Sequence, residues 1–287
     1  PSLVIGDAIA NAKSILEQAN DLAAEGVTLA VFPELCLTGY SAEDLFFSEA
    51  LMADTQNALQ HLCACDMPLL IVGAPWRLCD GRLINCAVAI GNHRVLGMIP
   101  KTFLPNYSEY YEQRWFASGA SVNETEVHDA LGTFHIRVDQ LFRLGDALVG
   151  AEICEDLWAP VNPGTHAALA GSNIVCNLSA SNELVSKADY REDLVRMTSA
   201  KSFCAYVYAG AGVMESTKDV VFGGHCLIAE AGQLLAQSKR FELSAQAVIG
   251  DVDLQRLQHD RAQNTTFAQM PRPRAYRIVQ ADTKLPC

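Results

Sequence analysis

The sequence predicts an α/β domain in which helices cover both faces of a mixed β-sheet. Three observations carry that prediction. Segments with a helical apolar period alternate with short, wholly apolar runs, the runs end in proline or polar residues, and the pairs Asp80-Gly81 and Asn92-His93 separate apolar stretches as hairpin turns do. With 50% of its 287 residues hydrophobic and 19% charged, the chain can bury a sizeable core and lies outside the composition of a disordered polypeptide.

The first element is a helix from Asp7 to Glu25, where Ile9, Ala12, Ile15, Leu16, Ala19 and Leu22 recur at helical spacing. Asp7 is placed to cap its start and Gly26 to end it. The run Val27 to Phe32 reads as a strand buried on both faces, and a polar loop, Glu34 to Ser48, hangs from its end. The pattern repeats with a helix near Glu49 to Ala64, a strand at Leu69 to Ala74, and two meander strands around the turn pairs. The Tyr- and Glu-rich stretch Lys101 to Phe116 has neither period and reads as a functional loop. Strands are expected at Ala147 to Ile153, Asn173 to Asn177 and Ala205 to Ala209, with helices near Thr165 to Ala170 and Asp189 to Phe203. Two further strands flank the turn Ala231-Gly232. No linker or repeat divides the chain, so residues 1–270 read as one domain and 271–287 as a tail. Periodicity leaves open whether one sheet is present or two packed together.

Lys and Arg number 21 against 33 Asp and Glu, a formal net charge of −12 without the basic runs of a nucleic-acid binder. No apolar run is long enough to span a bilayer. Ten cysteines scattered through apolar stretches suit a reducing, cytoplasmic compartment better than a secreted disulfide framework. The seven histidines are dispersed and no CxxC pair or HExxH helix occurs, so no metal is expected.

Three polar residues end buried strands: Glu34, Lys101 and Cys154. In α/β sheets, sites are built at the C-terminal ends of strands. The residue types also suit one task. A thiol is mostly protonated at neutral pH and needs a base before it attacks a carbonyl; Glu34 can accept the proton. Lys101 and the backbone N–H of Glu155 can stabilise the oxyanion. Each residue taken alone also has an ordinary reading as a buried small hydrophobe, a loop cap or a surface charge, and spacing does not bring the three together.

The runs Phe32-Pro-Glu-Leu-Cys-Leu-Thr-Gly-Tyr40, Lys101-Thr-Phe-Leu-Pro-Asn-Tyr107 and Glu152-Ile-Cys-Glu-Asp-Leu-Trp158 resemble, in order, the three catalytic blocks of the nitrilase (carbon–nitrogen hydrolase) superfamily. Ser41-Ala-Glu-Asp-Leu-Phe46, Ser108 to Phe116 and Asn177-Leu-Ser-Ala-Ser181 resemble, within it, the glutaminase domains of glutamine-dependent NAD synthetases. The resemblance implies a four-layer αββα sandwich of two mixed sheets and hydrolysis of the glutamine side-chain amide through a cysteine thioester. It implies Glu34 as base, Cys154 as nucleophile, Lys101 as oxyanion stabiliser and Glu109 as an additional glutamate orienting the lysine or the amide. Tyr107, Tyr110, Glu155, Ser181 and Lys187 are the implied glutamine contacts.

No cofactor is implied for this reaction. ATP and Mg belong to a synthetase domain of the same polypeptide, whose Ser-Gly-Gly-x-Asp-Ser type loop is not in this sequence. That domain would receive the ammonia, and a homo-oligomer is expected. In the family a strand precedes the helix opening at Asp7, where only Pro1 to Ile5 stand here, and both ends read as boundaries within a longer polypeptide. Two rivals remain: a free-standing amidase of the same superfamily acting on another small linear amide, and a catalytically silent interaction module.

Overall fold

The structure is a computed structural model that describes residues 3–273 and 275–282. Helix α1 (Ala8–Ala24) begins where the Asp7 carboxylate accepts the Ala10 N–H at 2.9 Å, and Gly26 follows its end in the left-handed region at φ +90°. Strand β1 (Leu29–Val31) leads to helix α2 (Glu49–Leu62) and to β2 (Leu69–Arg77), β3 (Leu83–Gly91) and β4 (Arg94–Pro100). With β5 (Thr125–Asp129) and β6 (Gly132–Ile136) they form a six-stranded sheet in the order β1-β2-β3-β4-β6-β5. The second sheet takes β7 (Gln140–Leu144), β8 (Ala147–Ile153), β9 (Ile174–Ser179), β10 (Ala205–Gly210), β11 (Leu227–Glu230), β12 (Gln233–Gln237) and β13 (Arg277–Asp282). Its order among the described residues is β12-β11-β10-β9-β8-β7-β13.

Why the strands read as unbroken apolar runs is visible in β2. Successive side chains point to opposite faces: Leu70, Val72 and Ala74 pack with Ile15 of α1 and Leu59 and Leu62 of α2, while Leu69 and Ile71 meet Val149, Ile153 and Cys176 of the second sheet. Both faces are therefore core. Truncating Leu70 to Ala costs about 2–5 kcal/mol. On the far side, Val175, Tyr206 and Tyr208 pack with Val195 of helix α4 (Lys187–Ser202), and helix α3 (Pro163–Leu169) lies alongside. Helix, sheet, sheet, helix is the expected four-layer sandwich.

Several expectations are corrected. The stretch after β1 is not a solvated polar loop: Glu34 through Tyr40 are all buried, and Tyr40–Phe47 is a kinked 3-10 segment. Strands β5, β6 and β7 were not anticipated, nor were helices α5 (Leu254–Gln263) and α6 (Thr265–Gln269). The expected tail contributes β13, which pairs in parallel with β7 and buries Ala281 between the sheets; residues 274 and 283–287 of that tail lie outside the described residues. These strands are short, and β5 is mostly exposed, so no local period announces them and their partners are distant in sequence.

Candidate active site

The three strand ends meet. Glu34 lies in a tight turn seated on β2, where Gly73 makes the fit: a β-carbon there would overlap the backbone of Pro33 to Leu35. Its carboxylate is fully buried. Oε1 accepts from Lys101 Nζ at 2.6 Å and Asn85 Nδ2 at 2.7 Å, and Oε2 accepts the Ala180 N–H at 2.8 Å.

Lys101 follows β4, and its main chain is pinned on both sides. Its N–H donates to Asn85 O at 2.8 Å and its carbonyl accepts from Gly119 N–H at 2.7 Å. Besides Glu34, Nζ donates to Glu112 Oε1 at 2.7 Å, which also accepts from the Tyr40 hydroxyl at 2.8 Å. Burial by itself would lower the Lys101 ammonium; the carboxylates of Glu112 and Glu34 overcome it and hold the group well above its ordinary value. Glu112 moves the other way for an acid. Burial first, and the Glu34 charge second, push it up to about 7 against the pull of Lys101.

Cys154 stands at the turn from β8 into the 3-10 segment Cys154–Trp158, with φ +45° in the left-handed region. Such a backbone is strained for a residue with a β-carbon and needs anchoring. The Asp156 carboxylate supplies it, accepting the N–H of Ile153 at 3.0 Å and, from the segment after Lys101, those of Thr102 at 3.1 Å and Phe103 at 2.8 Å. One side chain thus locks the cysteine turn to the lysine turn. Burial and the charge of Glu34 push the Cys154 thiol up to about 12, although Lys101 opposes them. Both effects favour the protonated thiol over the thiolate.

Beside this cluster lies a looser set. The Tyr107 hydroxyl donates to Glu155 Oε1 at 2.8 Å, next to a cavity of about 560 Å³ lined by Thr102, Phe103, Tyr107 and Glu155 among others. Asn182 is its hub: its N–H donates to the Tyr110 hydroxyl at 3.0 Å, its amide nitrogen to Glu109, and its amide oxygen accepts from Lys187 Nζ. That ammonium lies 5.3 Å from the Trp158 ring centroid and 5.9 Å from that of Tyr110, and burial lowers it. Ser181 is buried in the same turn, with Arg191 Nη2 3.5 Å from its Oγ.

Of the two contacts the resemblance implies for Glu109, with the lysine or with the amide, the one with the lysine is not made. Glu109 meets Asn182, and the carboxylate on Lys101 is Glu112, three residues further on. The loop from Lys101 to Phe116 has no regular period that ranks one glutamate above another. Asn85, Asp156 and Asn182 were also missed. Asn85 had a readable signal, a single amide inside the apolar run Leu83 to Ile90, since a buried polar group must find a partner. Among the described residues no helix is long and apolar enough to cross a membrane.

This sandwich, with a glutamate, a lysine and a cysteine gathered at its strand ends, is the architecture of a carbon–nitrogen hydrolase. The chain belongs to that family, whose model matches residues 2–262. It is 41% identical over 273 residues to a glutamine-dependent NAD(+) synthetase of Mycobacterium tuberculosis, an alignment covering 92% of this chain and 39% of that protein. Among solved structures, a glutamine-dependent NAD(+) synthetase from Cytophaga hutchinsonii superposes with TM-score 0.78 at 30% identity, over 86% of this chain and 41% of that one. An amidase from Nesterenkonia sp. shares the fold, with TM-score 0.67 at 18% identity over 91% of each chain. The chain thus spans about two fifths of the synthetases it matches.

Proposed function

We propose that this chain hydrolyses the side-chain amide of glutamine and supplies the ammonia to a synthetase portion that makes NAD. The observation that carries the reading is the buried Glu34–Lys101–Glu112 cluster within electrostatic reach of a protonated Cys154 thiol. A thiol raised to about 12 reacts only if a base takes its proton as it attacks. Glu34 is that base. Sulfur adds to the amide carbonyl, the negative oxygen develops against the Lys101 ammonium and the Glu155 N–H, and Glu34 returns the proton to the departing nitrogen. Ammonia leaves and a glutamyl thioester remains. Water, deprotonated by the same Glu34, then cleaves it to glutamate and the free thiol.

The looser set suits the amino-acid end of the substrate, with Glu155 and Tyr107 facing an ammonium, and Lys187, Tyr110 and Ser181 a carboxylate. A simple amide offers no ammonium or carboxylate for those charged groups to recognise, which favours glutamine over the free-standing amidase alternative. ATP and Mg would act only in the synthetase portion. All nine cysteines among the described residues are free thiols, as suits the cytoplasm. Self-association is expected, and sedimentation showing only monomer would remove that element.

The test is release of ammonia and glutamate by the wild-type chain, against a panel of other ω-amides. Preferential turnover of glutamine supports the reading, and equal turnover across the panel would sink it.

A further inference from the structure

Asn85 touches both halves of the cluster yet belongs to neither. It lies on β3, between β2, on which the Glu34 turn is seated, and β4, which ends at Lys101. Its carbonyl accepts the Lys101 N–H at 2.8 Å, and its side-chain Nδ2 donates to Glu34 Oε1 at 2.7 Å. The residue is 1% exposed, and its side-chain Oδ1 is buried with no hydrogen-bond partner. Turning the amide over would put that oxygen against a carboxylate oxygen, so the chemistry dictates that the nitrogen faces Glu34. A buried carbonyl oxygen left unpaired is costly, and such costs are found where the polar group has a task.

We infer that Asn85 is a positioning residue for proton transfer: its amide fixes the rotation of the Glu34 carboxylate against the pull of Lys101. Lys101 Nζ is shared between Glu34 and Glu112, so the ammonium alone does not hold Glu34 in one orientation. The Ala180 N–H holds Oε2 and Asn85 holds Oε1, one donor for each oxygen. With both in place the carboxylate plane is set, as a base that must take a proton from the nearby thiol and later from water requires. Asn85 itself exchanges no proton. The inference deepens the proposed function, because it takes Glu34 as the base.

The test uses the full chain with Asn85→Ala and Asn85→Asp. Two rates are followed: glutamine turnover per active site, and alkylation of Cys154 by iodoacetamide across pH 5–9, located by peptide mass mapping. For Asn85→Ala we expect kcat per alkylatable site to fall ~10–100-fold, with KM for glutamine changed less than about threefold and alkylation slowed.

Asn85→Asp carries the sharper readout. While its new carboxyl is protonated it donates the same hydrogen bond, so both rates stay near wild type at low pH. They fall relative to wild type at higher pH, where loss of the shared proton removes the donor to Glu34 and sets two buried negative charges against each other. A merely structural role predicts lower thermal stability and fewer alkylatable sites, with the rate per site unchanged and no new pH dependence. Either of those two rate results overturns the inference, and a poorly folded Asn85→Ala leaves the decision to Asn85→Asp. If wild type fails to hydrolyse glutamine but alkylation still depends on Asn85 in this way, the glutaminase reading fails and the positioning role stands.

Discussion

Glu34 and Glu155 are carboxylates of the candidate site, held in opposite ways. Glu34 is fully buried and accepts three hydrogen bonds, from a side-chain ammonium, an amide and a main-chain N–H. Glu155 is half-buried and accepts from the hydroxyl of Tyr107, a residue 57% exposed. The floor of the site is over-determined and the rim is lightly held. Chemistry needs groups fixed to fractions of an ångström before the substrate arrives, while recognition of a flexible amino acid can close around it.

The largest expected effect is at the floor. Cys154→Ala removes the proposed nucleophile and should lower glutamine hydrolysis by more than ~1,000-fold, with circular dichroism and thermal unfolding little changed, since a small buried side chain is exchanged for a smaller one. Ammonia release near the wild-type rate in this variant would refute the mechanism. Lys101→Met comes next and should be costly in both activity and fold. It leaves Glu34 and Glu112 buried against each other without a cation, a loss of about 3–5 kcal/mol, and removes the proposed oxyanion partner, worth ~100–1,000-fold in kcat. Urea titration and steady-state kinetics on one preparation check both, and full stability would show that the cluster is not the paired unit described.

At the rim the signature should invert. Glu155→Gln keeps the shape and the backbone N–H but removes the charge proposed to face the substrate ammonium, so KM for glutamine should rise ~10-fold or more while kcat changes little. A fall in kcat with KM unchanged would place Glu155 at the floor and dissolve the distinction.

The same contrast explains what the sequence made legible. Glu34, Lys101 and Cys154 stand at the ends of apolar runs that are core on both faces, and that placement can be read without a structure. Glu112 and Glu109 lie in an irregular loop, where only the fold decides which one reaches Lys101. Asn182 is a hub because β9 ends beside the loop holding Glu109 and Tyr110, a meeting across more than 70 residues. Helix α4 shows the limit of period analysis differently. Its buried face carries Arg191, Thr198, Ser199 and Ser202 beside Ala188 and Val195, so a helix forms there although its buried face is largely polar. Strand β13 is defined by its parallel pairing with β7, and nothing within residues 277–282 states that partner.

The smallest effect, and the finest probe of the floor, is the pH dependence of stability through Glu112. Burial holds its carboxyl at about 7 in the folded chain against an ordinary value of 4.5, so between those two values the folded state keeps a proton that the unfolded state has lost. Stability therefore falls as pH rises through this window and levels off above it. Glu112→Gln carries no such proton, and its unfolding free energy should lack this share of the slope. Asp156 and Glu215, both pushed up to about 8 mainly by burial, add a slope of the same sign to either protein, so it is the difference between variant and wild type that isolates Glu112. Measured by urea titration from pH 4.5 to 8, wild type should lose stability relative to Glu112→Gln up to about pH 7, then run parallel to it. A difference that stays flat would mean that Glu112 is already ionised throughout, with Lys101 holding two full negative charges in a buried cluster.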